Sequence, residues 1–334
     1  MISFHKHNII KAFIKNMMIH FILPGDTLEN IAEKIRLENP VYLKEFHNQY
    51  CLKEDFIVDH LVPGKKLLLP DFTKVKAYND KNDAPFKSQE LNPKIAFDPI
   101  GFNEKFKIKI KELSNAEGKI SEKSFSYIAS LQWIKNELGE HLFHFTKDQF
   151  SNQHETKMES LAIESIKSLY PIEVFVNAKG EILRTALKKE TLNNFKQIKE
   201  RLIDLFPDKY AKIYLEEFEY VVLNPDVFDQ KMKEDWFLKN YFSSFRNPFE
   251  NGKSFFEMYL DKTLLNIQQT AKLTDSKEEI LLHQTLKSKE ENQDDFTGNV
   301  TVFKNNGMIE SLNAVYSYKE FSVSYSTEFS IKNI

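Results

Sequence analysis

"EKFKIKIKEL", residues 104–113, alternates without a break, with Phe106, Ile108 and Ile110 in one set of positions and lysines in the other. Successive side chains of a strand point to opposite faces, so this period of two predicts a half-buried strand with its lysines in water. The reading extends outward on both sides. "SFSYIASLQWI" (124–134) and "HLFHFTKD" (141–148) read as further strands, and "PIEVFVNAKGEILRTAL" (171–187) as a hairpin around "NAKG". Between them, "ETKMESLAIESIKSLY" (155–170) is helical, with Met158, Leu161, Ala162 and Leu169 near one face.

The stretch 190–245 is also helical. Leu192, Phe195, Ile198, Leu202 and Leu205 form a stripe, and Asn224-Pro225 is a start signal in which an N-cap precedes a first-turn proline. Trp236, Phe237, Tyr241, Phe242 and Phe245 cluster at the end of this stretch, and core packing is their expected use. The chain then returns to alternating runs around "KNNG" in 298–332. Strands, helices and strands in that order predict an α+β domain over 101–334: an antiparallel sheet with a helical insertion.

Composition narrows the function. Of 334 residues, 41% are hydrophobic and 28% charged, enough apolar side chain for two or three cores. The net charge of −3 is spread along the chain with no basic face, which disfavours nucleic acid. Cys51 is the only cysteine, so neither an intramolecular disulfide nor a thiolate metal site can be built; a small buried residue is the expected role. The opening "MISFHKHNIIKAFIKNMMIHFIL" resembles a signal peptide, but Lys11 and Lys15 interrupt it and no small-residue cleavage site follows. The expectation is a protein without a classical export signal, cytoplasmic or exported by a dedicated apparatus. Residues 1–18 are then an extension whose true start is Met1, Met17 or Met18. No apolar run is long enough to span a membrane.

No HExxH, G-x-S-x-G or phosphate-binding glycine loop occurs in 80–334. His141 and His144 are three apart and would face opposite sides of a strand; with His154 they make a poor metal set. Glu216, Glu217 and Glu219 read as a solvated helix face. No catalytic residue, metal or cofactor is expected.

Residues 19–71 form a separate unit, and 72–100, polar and without an apolar period, read as a linker. In the unit, "IHFIL" is a short strand, "PGD" a turn, and Asp26 with Glu29 a capping box opening a helix whose apolar face is Leu28, Ile31, Ala32 and Ile35. "NPVYLKEFHNQY" is a second helix, and "LVPGKKLLLP" a turn feeding a strand. This arrangement resembles a LysM module, a small βααβ fold. Gly25, Asp26, Thr27, Leu28, Ile31 and Ala32 match the front of its pattern; Asn48 stands at its Asn position; Pro63, Gly64, Leu67 and Pro70 match its end. The resemblance implies a shallow groove that takes N-acetylglucosamine-containing glycan, peptidoglycan or chitin-like. Its site residues would be Gly25, Asp26, Thr27 and Leu28 on one wall and Phe56, Ile57 and Val58 on the other. The stretch "CLKEDFIVDH" between the second helix and "PGKK" is longer than the family's. The function this implies is a non-catalytic glycan-binding protein whose C-terminal domain binds a partner. Two alternatives remain open: a structural adaptor of a phage-tail-like or contractile injection apparatus, and an enzyme of unfamiliar type in 101–334.

Overall fold

A computed structural model describes residues 18–151, 156–260, 263–287 and 294–334. Residues 1–17 of the 1–18 extension, with its candidate starts at Met1 and Met17, and His154 lie outside the described residues. The chain divides into two compact units between Gln89 and Glu90.

The first unit begins with β1 (Met18–Phe21), which pairs antiparallel with β2 (Lys66–Leu69). The pairing continues past the strand ends, with Ile22 N–H donating to the Lys65 carbonyl (3.0 Å) and Gly64 N–H to the Ile22 carbonyl (2.8 Å). Between the strands lie α1 (Leu28–Lys34), α2 (Val41–Tyr50) and a 3-10 turn (Lys53–Asp55). Ile31 and Ala32 of α1, Leu43 and Phe46 of α2, and Leu67 and Leu68 of β2 share one apolar core. His47 is 1% exposed and fully partnered: its Nδ1 accepts from Leu68 N–H (3.0 Å) and its Nε2 meets the Asp55 carbonyl (2.9 Å). That fixes the neutral tautomer with the proton on Nε2. The stretch expected as a linker carries α3 (Phe72–Asn79), opened by Asp71, whose carboxylate accepts from Lys74 N–H (2.8 Å). Val75 and Tyr78 of α3 join the first core, and Tyr78 stacks on Tyr42 at 4.5 Å.

The second unit is built on one antiparallel sheet of eleven strands, in the order β7-β6-β5-β4-β3-β13-β12-β11-β10-β9-β8. The strands are β3 (Asn103–Ala116), β4 (Lys119–Glu137), β5 (Glu140–Ser151), β6 (Ile172–Val176), β7 (Ile182–Leu187), β8 (Ser254–Leu260), β9 (Thr263–Lys272), β10 (Glu279–Leu286), β11 (Asp295–Phe303), β12 (Ile309–Glu320) and β13 (Val323–Asn333). Two meanders, β3–β7 and β8–β13, are zipped together by the first strand of one and the last of the other, with Phe329 opposite Ile110. Helix α4 (Lys157–Lys167) lies between β5 and β6. Five more, α5 (Lys189–Asn193), α6 (Phe195–Leu205), α7 (Lys209–Leu223), α8 (Pro225–Lys233) and α9 (Trp236–Tyr241), connect the meanders.

These elements overturn the expected class. The chain is β-rich, 40% strand against 29% helix, rather than an α+β fold of a βααβ module followed by a sheet with a helical insertion. The physical reason is that 254–286 supplies three strands, which no sequence period announced, and that the connecting helices serve the sheet as a cover. The predicted face is as expected: Phe106, Ile108 and Ile110 are buried, while Lys105, Lys107 and Lys109 are exposed. Phe237 of α9 stacks on Phe145 (5.4 Å, 3°), Tyr241 meets Phe106 edge-on (5.2 Å), and Phe242 lies 5.5 Å from Phe143. The aromatic cluster of 236–245 is therefore core against this face. Among the described residues, no helix is long and apolar enough to cross a membrane.

Candidate functional site

In the first unit, the turn before α1 is held by Asp26. Its carboxylate accepts from Leu23 N–H (2.8 Å) and from His20 Nε2 (2.6 Å), and the Leu23 bond first, then His20, holds its pKa below the ordinary aspartate value. Asp26 thus closes the turn and does not cap the helix. The N-cap is Thr27, whose Oγ1 accepts from Asn30 N–H (3.1 Å), so the expected Asp26–Glu29 capping box is not formed. Gly25 sits at φ +90°, a region that a residue with a Cβ adopts only with strain. Thr27 is exposed, and its hydroxyl keeps its donor capacity while accepting at the cap. Leu28 packs partly on the core.

The 56–58 loop is set by Asn48. Its Oδ1 accepts from Ile57 N–H and its Nδ2 donates to the Ile57 carbonyl, both at 2.9 Å. This double bond turns Ile57 inward, 6% exposed and part of the core, while Phe56 (46%) and Val58 (70%) stand in solvent. Of the three residues expected on this wall, two present side chains and Ile57 contributes support. Leu28 and Ile57 rest on the same core, so both loops share one foundation. Cys51 is half-buried, and burial pushes its thiol pKa up, away from nucleophilic use.

In the second unit, His141 and His144 fall on opposite faces of β5. His141 accepts at Nδ1 from Trp133 Nε1–H (3.2 Å) and burial lowers its pKa; burial also lowers that of His144. Among the described residues, no group of three or more potential ligands gathers to hold a metal. Two charged clusters are present that no sequence motif signalled. Lys147 on β5 forms an ion pair with Asp235, whose other oxygen caps α9 through Phe237 and Leu238 N–H. The pair pins the covering helix to the sheet. Arg246 is half-buried as a residue but its guanidinium end is enclosed, stacked on Phe245 (4.1 Å) and Phe97 (4.8 Å), with Nε donating to the Gly307 carbonyl (3.1 Å). Desolvation brings its pKa down to about 9. Glu181 supplies a neighbouring negative charge and is itself held by Ser244 Oγ (2.6 Å) and Asn177 Nδ2 (2.8 Å). Gly307 must be glycine, because a Cβ there would sit 1.6 Å from the Ala96 carbonyl oxygen. Both clusters fasten turns and helices to the core. Signals for them were out of reach of the sequence, since their partners lie 61 to 88 residues apart.

No family model matches the chain, and no curated protein matches it. Among solved structures, one described as "Lipid-protein interactions in lipovitellin" is similar over 70% of this chain, at 9% identity and a TM-score of 0.40. The chain spans a quarter (25%) of that chain's length. A DUF1329 family protein from Desulfovibrio piger is similar over 70% of this chain and 87% of its own, at 8% identity and a TM-score of 0.18. At these scores neither likeness assigns a fold or a ligand to this chain.

Proposed function

We propose that this chain is a non-catalytic glycan-binding protein whose first unit holds an N-acetylglucosamine-containing glycan between the Gly25–Leu28 turn and the Phe56–Val58 loop. The observation that carries the reading is the Asn48 clip. It commits the main chain of Ile57 and leaves Phe56 and Val58 standing outward side by side, available for apolar contact. The resemblance to LysM modules supplies the ligand class. Thr27 adds a hydroxyl on a fixed helix cap, and Phe56 and Val58 add apolar contact suited to an acetamido methyl.

Sedimentation with insoluble peptidoglycan and with chitin tests this. The full chain is expected in the pellet with at least one of them. Thr27→Asp, which keeps an N-cap, and the paired Phe56→Ala/Val58→Ala change are each expected to reduce the pelleted fraction while the far-UV spectrum stays unchanged. A chain that remains in the supernatant with both polymers defeats the proposal, and an unchanged pellet for both variants defeats the assignment of the two walls.

A further inference from the structure

The helix-covered face of the large sheet does not end where the helices do. On β3, Phe106, Ile108 and Ile110 are buried under the cover, and the next residue on the same face, Glu112, is exposed. The register places the neighbours of this uncovered end. Glu112 lies opposite Lys123 of β4 and Thr327 of β13, and Ser114 opposite Ser121 of β4 and Tyr325 of β13. Tyr325 in turn lies opposite Tyr318 of β12. Cross-strand partners share a face, so all of these side chains project to one side. They line a cavity of about 320 Å³.

Its wall is a ladder of tyrosines. Tyr316 and Tyr318 stack at 5.5 Å and 26°, and Tyr318 and Tyr325 at 5.0 Å and 17°. Tyr316 is 2% exposed and anchors the stack in the core, whereas Tyr318 and Tyr325 are half-buried at the rim. The rings are held on two strands joined by a tight hairpin, so little side-chain freedom is left to lose on binding.

The chemistry of this lining selects among ligands. A purely apolar molecule would strip water from the Ser114 and Ser121 hydroxyls and two charged groups without replacing their hydrogen bonds, an unfavourable exchange. An anion would meet the Glu112 carboxylate. A pyranose suits every component. Its axial C–H groups make one apolar face for an aromatic ring, and its hydroxyl rim both donates and accepts, matching serine hydroxyls, one carboxylate acceptor and one ammonium donor. The volume is at the small end for ligand pockets, appropriate to a short stretch of sugar.

We infer that this tyrosine-walled pocket, formed by the ends of β3, β4, β12 and β13, is a second glycan subsite that takes a pyranose residue. The pocket is independent of the first unit; only its expected preference for N-acetylglucosamine units rests on the function proposed above.

Calorimetric titration of the full chain with N-acetylchitotetraose tests the inference. The wild type is expected to bind two molecules per chain. Tyr318→Ala/Tyr325→Ala is expected to bind one, the tyrosine-walled site weakened at least about tenfold. Ser121→Trp, which fills the pocket from an exposed position and leaves the ring ladder in place, is expected to do the same and decides the matter should the tyrosine pair be needed for folding. Thr27→Asp is expected to keep the tyrosine-walled site. A wild type that binds one molecule, lost in the pocket variants and kept in Thr27→Asp, upholds this inference while removing the first-unit site. Wild-type stoichiometry and affinity in a folded Ser121→Trp protein overturn it, as does the absence of any binding.

Discussion

Asn48 shows how much a single side chain settles. Both hydrogen bonds of its amide go to one residue, Ile57, at the centre of a loop also held by Phe56 N–H on the Lys53 carbonyl (3.3 Å) and Lys44 Nζ on the Val58 carbonyl (2.5 Å). Asn48→Ala leaves the partly buried N–H and C=O of Ile57 without partners. It is expected to destabilise the first unit by about 1–3 kcal/mol, read by urea unfolding, and to lower the pelleted fraction on peptidoglycan. Asn48→Asp keeps the acceptor and loses the donor, so an intermediate effect is expected. A variant as stable and as retentive as the wild type would sink the role given to the clip. The residue was visible in the sequence as a pattern match, but its work was not, because the partner lies across a loop of irregular structure. The same limit explains Asp26. An Asp before an apolar stripe reads as a helix cap, yet its carboxylate is better satisfied by Leu23 N–H and His20, which leaves the cap to Thr27 one residue on. Local patterns locate a helix start to within a residue; competing hydrogen bonds choose which residue caps it.

At the scale of elements, the free edge of β7 is closed by side chains from α8. Thr185 N–H donates to Asp229 Oδ1 (2.6 Å), and Lys233 Nζ donates to the Leu183 carbonyl (2.9 Å). An uncovered edge strand is a template for pairing with another chain, and these two contacts remove it. Asp229→Ala is expected to cost about 1–3 kcal/mol and to raise self-association, measured by light scattering of the full chain. A variant that stays monodisperse and unfolds at the wild-type denaturant concentration would refute this account of the edge. Helix α3 is docked by a comparable latch: the Tyr42 hydroxyl donates to Asp83, and Asn39 Nδ2 donates to the Asp83 carbonyl (3.2 Å). The Tyr42 bond, ahead of Asn39, lowers the Asp83 pKa from its ordinary 3.8. Asp26 is lowered as well. A carboxylate with a depressed folded-state pKa contributes stability above its unfolded value and loses it as pH falls through the folded value. The first unit is therefore expected to weaken below about pH 4, and Asp83→Asn to flatten that acid dependence; equal acid slopes for both proteins would count against the latch. Helices α4 and α8 were legible, whereas α3, though capped by Asp71, lies in the stretch read as a linker. Thr156 forms a capping box on α4, and Asn224 caps α8 with Pro225 following. Strands β8 to β10 were not. In β8, buried Ser254, Phe256, Met258 and Leu260 alternate with exposed Phe255 and Tyr259, so aromatic residues occupy both faces. In β9 and β10, Gln269 and Gln284 occupy core positions, satisfied by the Phe245 carbonyl and by each other (3.3 Å). Buried amides with their own partners erase the apolar period that a sequence reading needs.

The whole molecule was half legible for a reason of distance. The first meander and the last three strands of the second left alternating runs in the sequence, but the union of the two depends on β3 meeting β13 across more than two hundred residues, and no local pattern announces such a pairing. That union also creates the tyrosine-walled pocket, whose lining comes from β3 and β4 on one side and β12 and β13 on the other. On the two proposals together, one chain would carry two glycan subsites, one in each compact unit. The consequence is a difference between soluble and polymeric ligand. With a short soluble oligosaccharide each subsite acts alone, so losing one leaves the other's affinity unchanged. On insoluble peptidoglycan the second contact is made at the high effective concentration set by the first, and retention is expected to exceed that of either single-site variant by about a hundredfold. Dissociation of the full chain from immobilised peptidoglycan measures this directly: Thr27→Asp and Ser121→Trp are each expected to leave much faster than the wild type, and the double variant not to be retained. If either single variant dissociates at the wild-type rate while its own subsite is shown to be lost, the two subsites do not engage one polymer together.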